Sequence, residues 1–65
     1  MNNYLANTNT GEIHRLATVV DKCRIDEISV LNKKYLETEA QVDALIKSNS
    51  KYDGCGYCYK EKHTK

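Results

Sequence analysis

Two cysteines separated by a glycine and a tyrosine, Cys55-Gly56-Tyr57-Cys58, constrain this chain more than any other stretch. Thiolates at that spacing can bind one metal ion, and the intervening Gly56 would let the backbone wrap so that both sulfurs converge and nearby N–H groups turn toward them. Two sulfurs do not complete a tetrahedral set, so the rest of the chain must supply the remainder. It offers Cys23 and His14, with His63 as a rival for the imidazole position. A single structural Cys3His site for one zinc ion is the economical reading.

Length makes such a staple necessary. A chain of 65 residues with no Phe, no Trp and five Tyr forms one domain whose small core barely offsets chain entropy. Structural zinc contributes roughly 10–16 kcal/mol of apparent binding free energy that doubles as folding free energy. Three cysteines cannot all pair, and Met1-Asn2-Asn3-Tyr4 lacks the charged start and apolar run of a signal peptide. The thiols are therefore expected to be reduced in a cytoplasmic protein, which favours metal over disulfides. No apolar run approaches the ~20 residues of a membrane span. Ten Lys and Arg against nine Asp and Glu give a formal charge of +1, so no strong field points to nucleic acid.

In chain order, Tyr4-Leu5-Ala6 and Glu12-Ile13-His14 are β-compatible segments flanking the turn-forming Asn7-Thr8-Asn9-Thr10-Gly11, which predicts a hairpin. Ile13 and His14 must then point to opposite faces, one toward a core and the other toward a site. Leu16-Ala17-Thr18-Val19-Val20 is expected to pack over the hairpin. Ile25, Ile28 and Leu31 recur at three-residue intervals, which predicts one or two helical turns after Cys23. Lys34-Tyr35-Leu36 reads as a third strand. Thr38 and Gln41 have the spacing of a capping box and open a helix from Glu39 to about Lys47, with Val42, Leu45 and Ile46 on its buried face. The expected fold is a small α+β zinc-stapled domain over residues 1–59, built from the hairpin, the third strand, one or two short helices and the CxxC knuckle. Residues 60–65 are expected as a flexible charged tail.

Other uses of CxxC fit poorly. A thioredoxin-type motif follows an early strand and opens a long helix. Haem attachment needs a histidine where Tyr59 stands, and an iron–sulfur cluster usually takes four thiolates where three exist. Cys55-x2-Cys58-x4-His63 has the opening spacing of a retroviral-type zinc knuckle, but the final cysteine is missing and Cys23 would have to replace it. His14 is preferred as the fourth ligand, because a strand holds its ring at lower entropic cost than a terminus holds His63.

These residues resemble the small metal-binding domain at the N-terminus of Ada-type methylphosphotriester repair proteins, over roughly residues 13–59. That domain has two early zinc ligands, an Asn before an aromatic strand, a short helix with a Glu-Ala pair and a closing aromatic-x-x-Cys-x-x-Cys. The counterparts here are His14 and Cys23, Asn32, Tyr35-Leu36, Thr38-Glu39-Ala40, and Tyr52-Asp53-Gly54-Cys55-Gly56-Tyr57-Cys58. The resemblance implies zinc held by His14, Cys23, Cys55 and Cys58. In the family the first ligand is a methyl-accepting cysteine, so His14 in that place implies that methyl transfer is not carried over. The hairpin followed by a distant CxxC also resembles small zinc-ribbon-like proteins of bacteria and their phages.

With no catalytic pair and near-neutral charge, the expected role is a monomeric, non-enzymatic module that binds or regulates another protein. A nucleic-acid-binding module using Arg24, Lys33 and Lys34, with Lys60, Lys62 and Lys65 of the tail, is the alternative. A zinc-thiolate alkyl acceptor is the third reading.

Overall fold

The computed structural model describes residues 3–63; Met1 and Asn2, and Thr64 and Lys65 of the expected tail, lie outside the described residues. The hairpin forms as its turn residues dictate. Strand β1, Tyr4–Asn7, pairs antiparallel with β2, Glu12–Arg15, placing Leu5 opposite His14 and Ala6 opposite Ile13. The Asn7 side chain accepts from the Asn9 and Thr10 N–H groups at 2.9 and 3.3 Å, and Gly11 N–H closes the turn onto Asn7 O at 2.7 Å. Gly11 sits at φ 86°, and a Cβ there would collide with the Lys51 carbonyl. Only glycine meets both conditions.

Strand β3, Lys33–Leu36, pairs antiparallel with β1 on its other side. A fourth strand, β4, covers only Asp53–Gly54 and runs parallel to β2, giving the sheet order β3-β1-β2-β4. Alternation along the strands sorts the two faces of this sheet. Tyr4, Ala6, Ile13 and Leu36 belong to the apolar core, while their neighbours Leu5 and His14 are buried on the reverse side.

Helix α1, Glu39–Ser48, covers the core face. It starts where the capping box predicts: Thr38 Oγ1 accepts from Gln41 N–H at 3.3 Å, and Gln41 Oε1 accepts from Glu37 and Thr38 N–H at 2.7 and 3.4 Å. Val42 is fully buried and Leu45 and Ile46 pack against the cluster, leaving Glu39, Asp43 and Lys47 exposed. The centre of this core is Tyr59. Its ring is fully buried, stacks on Tyr4 at 5.4 Å, lies under the Arg15 guanidinium at 5.1 Å, and its hydroxyl donates to Glu39 at 3.2 Å. One buried aromatic of this kind removes about 150–250 Å² from water, which in so small a cluster outweighs any aliphatic neighbour.

The stretch between β2 and β3 is built of short turns. Leu16–Thr18, Asp21–Cys23, Ile25–Glu27 and Val30–Asn32 are four separate 3-10 turns, and none contains a buried residue. Ile25 and Ile28 are half-buried, but Leu31 is 90% exposed and Val20 48%. The three-residue spacing that predicted one or two helical turns after Cys23 is the period of a 3-10 turn, and two such turns, Ile25–Glu27 and Val30–Asn32, follow it. Arg24, left-handed at φ 50°, and Ile28, extended at ψ 126°, bound the first of these turns.

Residues 60–63 fold back onto the domain. Lys60–Lys62 form a 3-10 turn in which Glu61 pairs with Arg15 and Lys62 Nζ pairs with Asp43 at 2.7 Å. His63 Nδ1 donates to Gly54 O at 2.9 Å. Among the described residues no helix is long and apolar enough to cross a membrane.

Candidate metal centre

Three elements deliver four ligand atoms to the sheet face opposite α1. Strand β2 brings His14, since alternation that sends Ile13 into the core must send the next side chain the other way. The 3-10 turn Asp21–Cys23 ends on Cys23, and the left-handed Arg24 immediately after it redirects the chain. A non-glycine residue in that conformation costs about 1 kcal/mol or more, so backbone strain is concentrated next to a ligand. The knuckle after β4 brings Cys55 and Cys58. Cys55 N–H donates to Ile13 O at 2.8 Å and Asp53 N–H to Gly11 O at 2.8 Å, which fixes the CxxC beside His14.

One donor atom from each of His14, Cys23, Cys55 and Cys58 lies within 4.8 Å of all the others. Cys23 Sγ is 3.6 Å from Cys55 Sγ, and Cys58 Sγ is 3.5 Å from His14 Nδ1. A tetrahedral ion with Zn–S of about 2.3 Å and Zn–N of about 2.0–2.1 Å would set sulfur–sulfur edges of about 3.8 Å and sulfur–nitrogen edges of about 3.6 Å. The two close pairs fit those edges. Three thiols and an imidazole are also a donor set suited to zinc. His14, Cys55 and Cys58 are each 2% exposed, while Cys23 is half-buried. Such a site is closed by protein donors, with no fourth position left to a water.

The surroundings orient the sulfurs. Tyr57 N–H points at Cys55 Sγ at 3.5 Å, and the Arg15 backbone reaches the Cys58 sulfur. Thr18 Oγ1 donates to Cys58 O at 2.6 Å, and Lys22 Nζ lies 5.7 Å over the Tyr57 ring, which ties the Cys23 segment to the knuckle. The glycine this knuckle requires is Gly54: a Cβ there would meet Tyr59 O at 2.5 Å. Gly56, the expected pivot, has no positive φ, and a Cβ on it would meet only the His63 ring at 3.4 Å. Arg15 and Thr18 carried no sequence signal, since a backbone N–H and a hydroxyl three residues apart fit countless loops.

His63 is not in the cluster. Its Nδ1 is engaged by Gly54 O and lies 3.2 Å from Asp53 Oδ2, so it braces the knuckle from outside. Of the cationic trio, Arg24 is exposed and pairs with Glu27 at 3.7 Å. Lys33 and Lys34 are consecutive in β3 and therefore leave the sheet on opposite faces. No single patch collects all three by alternation.

Burial also sets the protonation of the metal-free site. It pushes the Cys58 thiol up to about 12, with the neighbouring Cys23 and Cys55 thiols adding to the effect. It lowers His14 below its ordinary 6.5, against a smaller opposing pull from Glu12. At neutral pH the imidazole is thus already in its ligating form, whereas the Cys58 thiol must lose a proton to bind. Metal affinity should fall as pH falls, by about tenfold per pH unit for each proton displaced, and more steeply once the medium is acid enough to protonate His14. Competition against a chelator of known affinity between about pH 6 and about pH 8 tests this; a flat profile would contradict it.

No family model, curated protein or solved structure matches this chain.

Proposed function

We propose that this chain is a small zinc-binding module with a structural Cys3His site, non-enzymatic, whose role is to present a surface to another protein. The single observation that carries the metal reading is the convergence of His14, Cys23, Cys55 and Cys58, drawn from positions up to 44 residues apart, to mutual distances within 4.8 Å. Those residues would hold the ion, which when bound supplies a tetrahedral cross-link between β2, the 3-10 segment and the knuckle. A core limited to Ala6, Ile13, Leu36, Val42, Tyr52 and Tyr59 gives the cross-link something to stabilise. The resemblance to Ada-type metal-binding domains agrees with this ligand set.

The protein-binding part is supported by what the domain leaves outside. Val30 and Leu31 are 80% and 90% exposed and immediately precede β3, where Tyr35 is 49% exposed. β3 is also a sheet edge, and an edge strand beside apolar side chains is a common protein-docking feature. Native mass spectrometry of the purified protein tests the metal reading. One zinc ion per chain is expected, lost together with the fold on chelation; a folded, metal-free chain under non-denaturing conditions would overturn it.

A further inference from the structure

We propose that Cys23 is a peroxide-sensitive ligand and that its oxidation closes a Cys23–Cys55 disulfide, dismantling the metal site. The inference rests on the zinc-module reading and adds to it a modification site. Three observations single out Cys23 among the three thiols. It is the least enclosed of the three residues: Cys55 and Cys58 are each 2% exposed, while Cys23 is half-buried. It borders a cavity of about 220 Å³ that reaches His14 and is walled by Glu12, Arg24, Glu27 and Ile28 among others, ample for a molecule the size of hydrogen peroxide. Finally, it stands on the segment of four 3-10 turns that buries no residue, next to the left-handed Arg24. That segment can shift at little cost in packing.

The resolving partner is already in place. Cys55 Sγ lies 3.6 Å away, so the sulfurs need approach by only about 1.5 Å to reach the bonded separation. The Cys23 thiolate attacks one oxygen of hydrogen peroxide; the O–O bond breaks, giving a sulfenic acid and hydroxide. The Cys55 thiolate then attacks the Cys23 sulfur, the S–O bond breaks, and a second hydroxide leaves. Two thiolates are oxidised by two electrons in all, and one peroxide is reduced to two hydroxides. Cys58 and His14 alone remain as donors, too few for a tetrahedral site. Thiol reductants reverse the step by exchange.

The experiment uses zinc-loaded protein whose metal content is first measured by native mass spectrometry; absence of zinc at that stage would fell the metal reading itself, before any oxidant is added. Hydrogen peroxide is then added and three readouts are followed: released zinc with a chromogenic chelator, intact mass, and tryptic peptides without reduction. Expected are zinc release, loss of two hydrogens from the intact mass, and Cys23-Arg24 linked to the Tyr52-to-Lys60 peptide through Cys55, all reversed by dithiothreitol with zinc restored. Cys23→His, which keeps a ligand but removes the thiol, should release zinc at least about tenfold more slowly. A first product joining Cys55 to Cys58 within one peptide would overturn the proposal. So would equal release rates for Cys23→His and the parent, or retained zinc under peroxide that oxidises free cysteine.

Discussion

Replacing Cys58 with Ser should abolish metal binding and leave the chain unfolded at neutral pH. Core burial in a domain of this size rarely supplies more than about 3–5 kcal/mol, whereas structural zinc contributes roughly 10–16 kcal/mol. Removing one thiolate forfeits most of the second quantity, and the first cannot hold Tyr59 and Val42 together alone. Cys55→Ser should behave alike, because it removes another of the four converging donors, the Cys55 sulfur 3.6 Å from Cys23 Sγ. Amide NMR spectra with and without zinc measure the effect. Well-dispersed resonances from either variant without metal would show the cross-link to be dispensable.

The second large effect separates the two histidines. His14→Ala removes a donor 3.5 Å from Cys58 Sγ, and its zinc dissociation constant should rise by more than about 100-fold, since losses outside the ligand shell already cost about 10–100-fold. His63→Ala removes a brace on the Gly54 carbonyl. It should cost about 1 kcal/mol of stability and change zinc affinity by less than about tenfold. Dissociation constants measured by chelator competition decide between them; a large loss for His63→Ala with none for His14→Ala would move the fourth ligand to His63.

The parts legible in the sequence are those with local causes. The capping box of Thr38 and Gln41 and the spacing of Val42, Leu45 and Ile46 set the helix to within a residue, and the turn formers from Asn7 to Gly11 set the hairpin. His14 and Cys23 could be nominated as ligands because alternation on β2 and the demand of the CxxC for partners left few candidates. β4 was not legible: Asp53 and Gly54 are poor strand formers, and they pair only because β2 is already there to receive them. The helical turns after Cys23 were legible from their three-residue apolar spacing, but not the ties that hold the segment, a Thr18 bond to the Cys58 carbonyl and Lys22 over the Tyr57 ring. His63 was expected in a flexible charged tail, and nothing in the residues around it announced the carbonyl of Gly54 nine positions earlier.

The division of β2 between two chemistries has a consequence for misfolding. In most half-exposed strands a one-residue slip in pairing trades apolar side chains for polar ones and forfeits burial alone. Here a slip would drive the His14 imidazole into the pocket formed by Ala6, Val42 and Tyr59, and offer the Ile13 side chain to three sulfurs. A mispaired hairpin therefore can neither close its core nor capture an ion. Metal capture by the four donors would then act as a proofreading step on strand register, rewarding only chains whose hairpin has paired correctly.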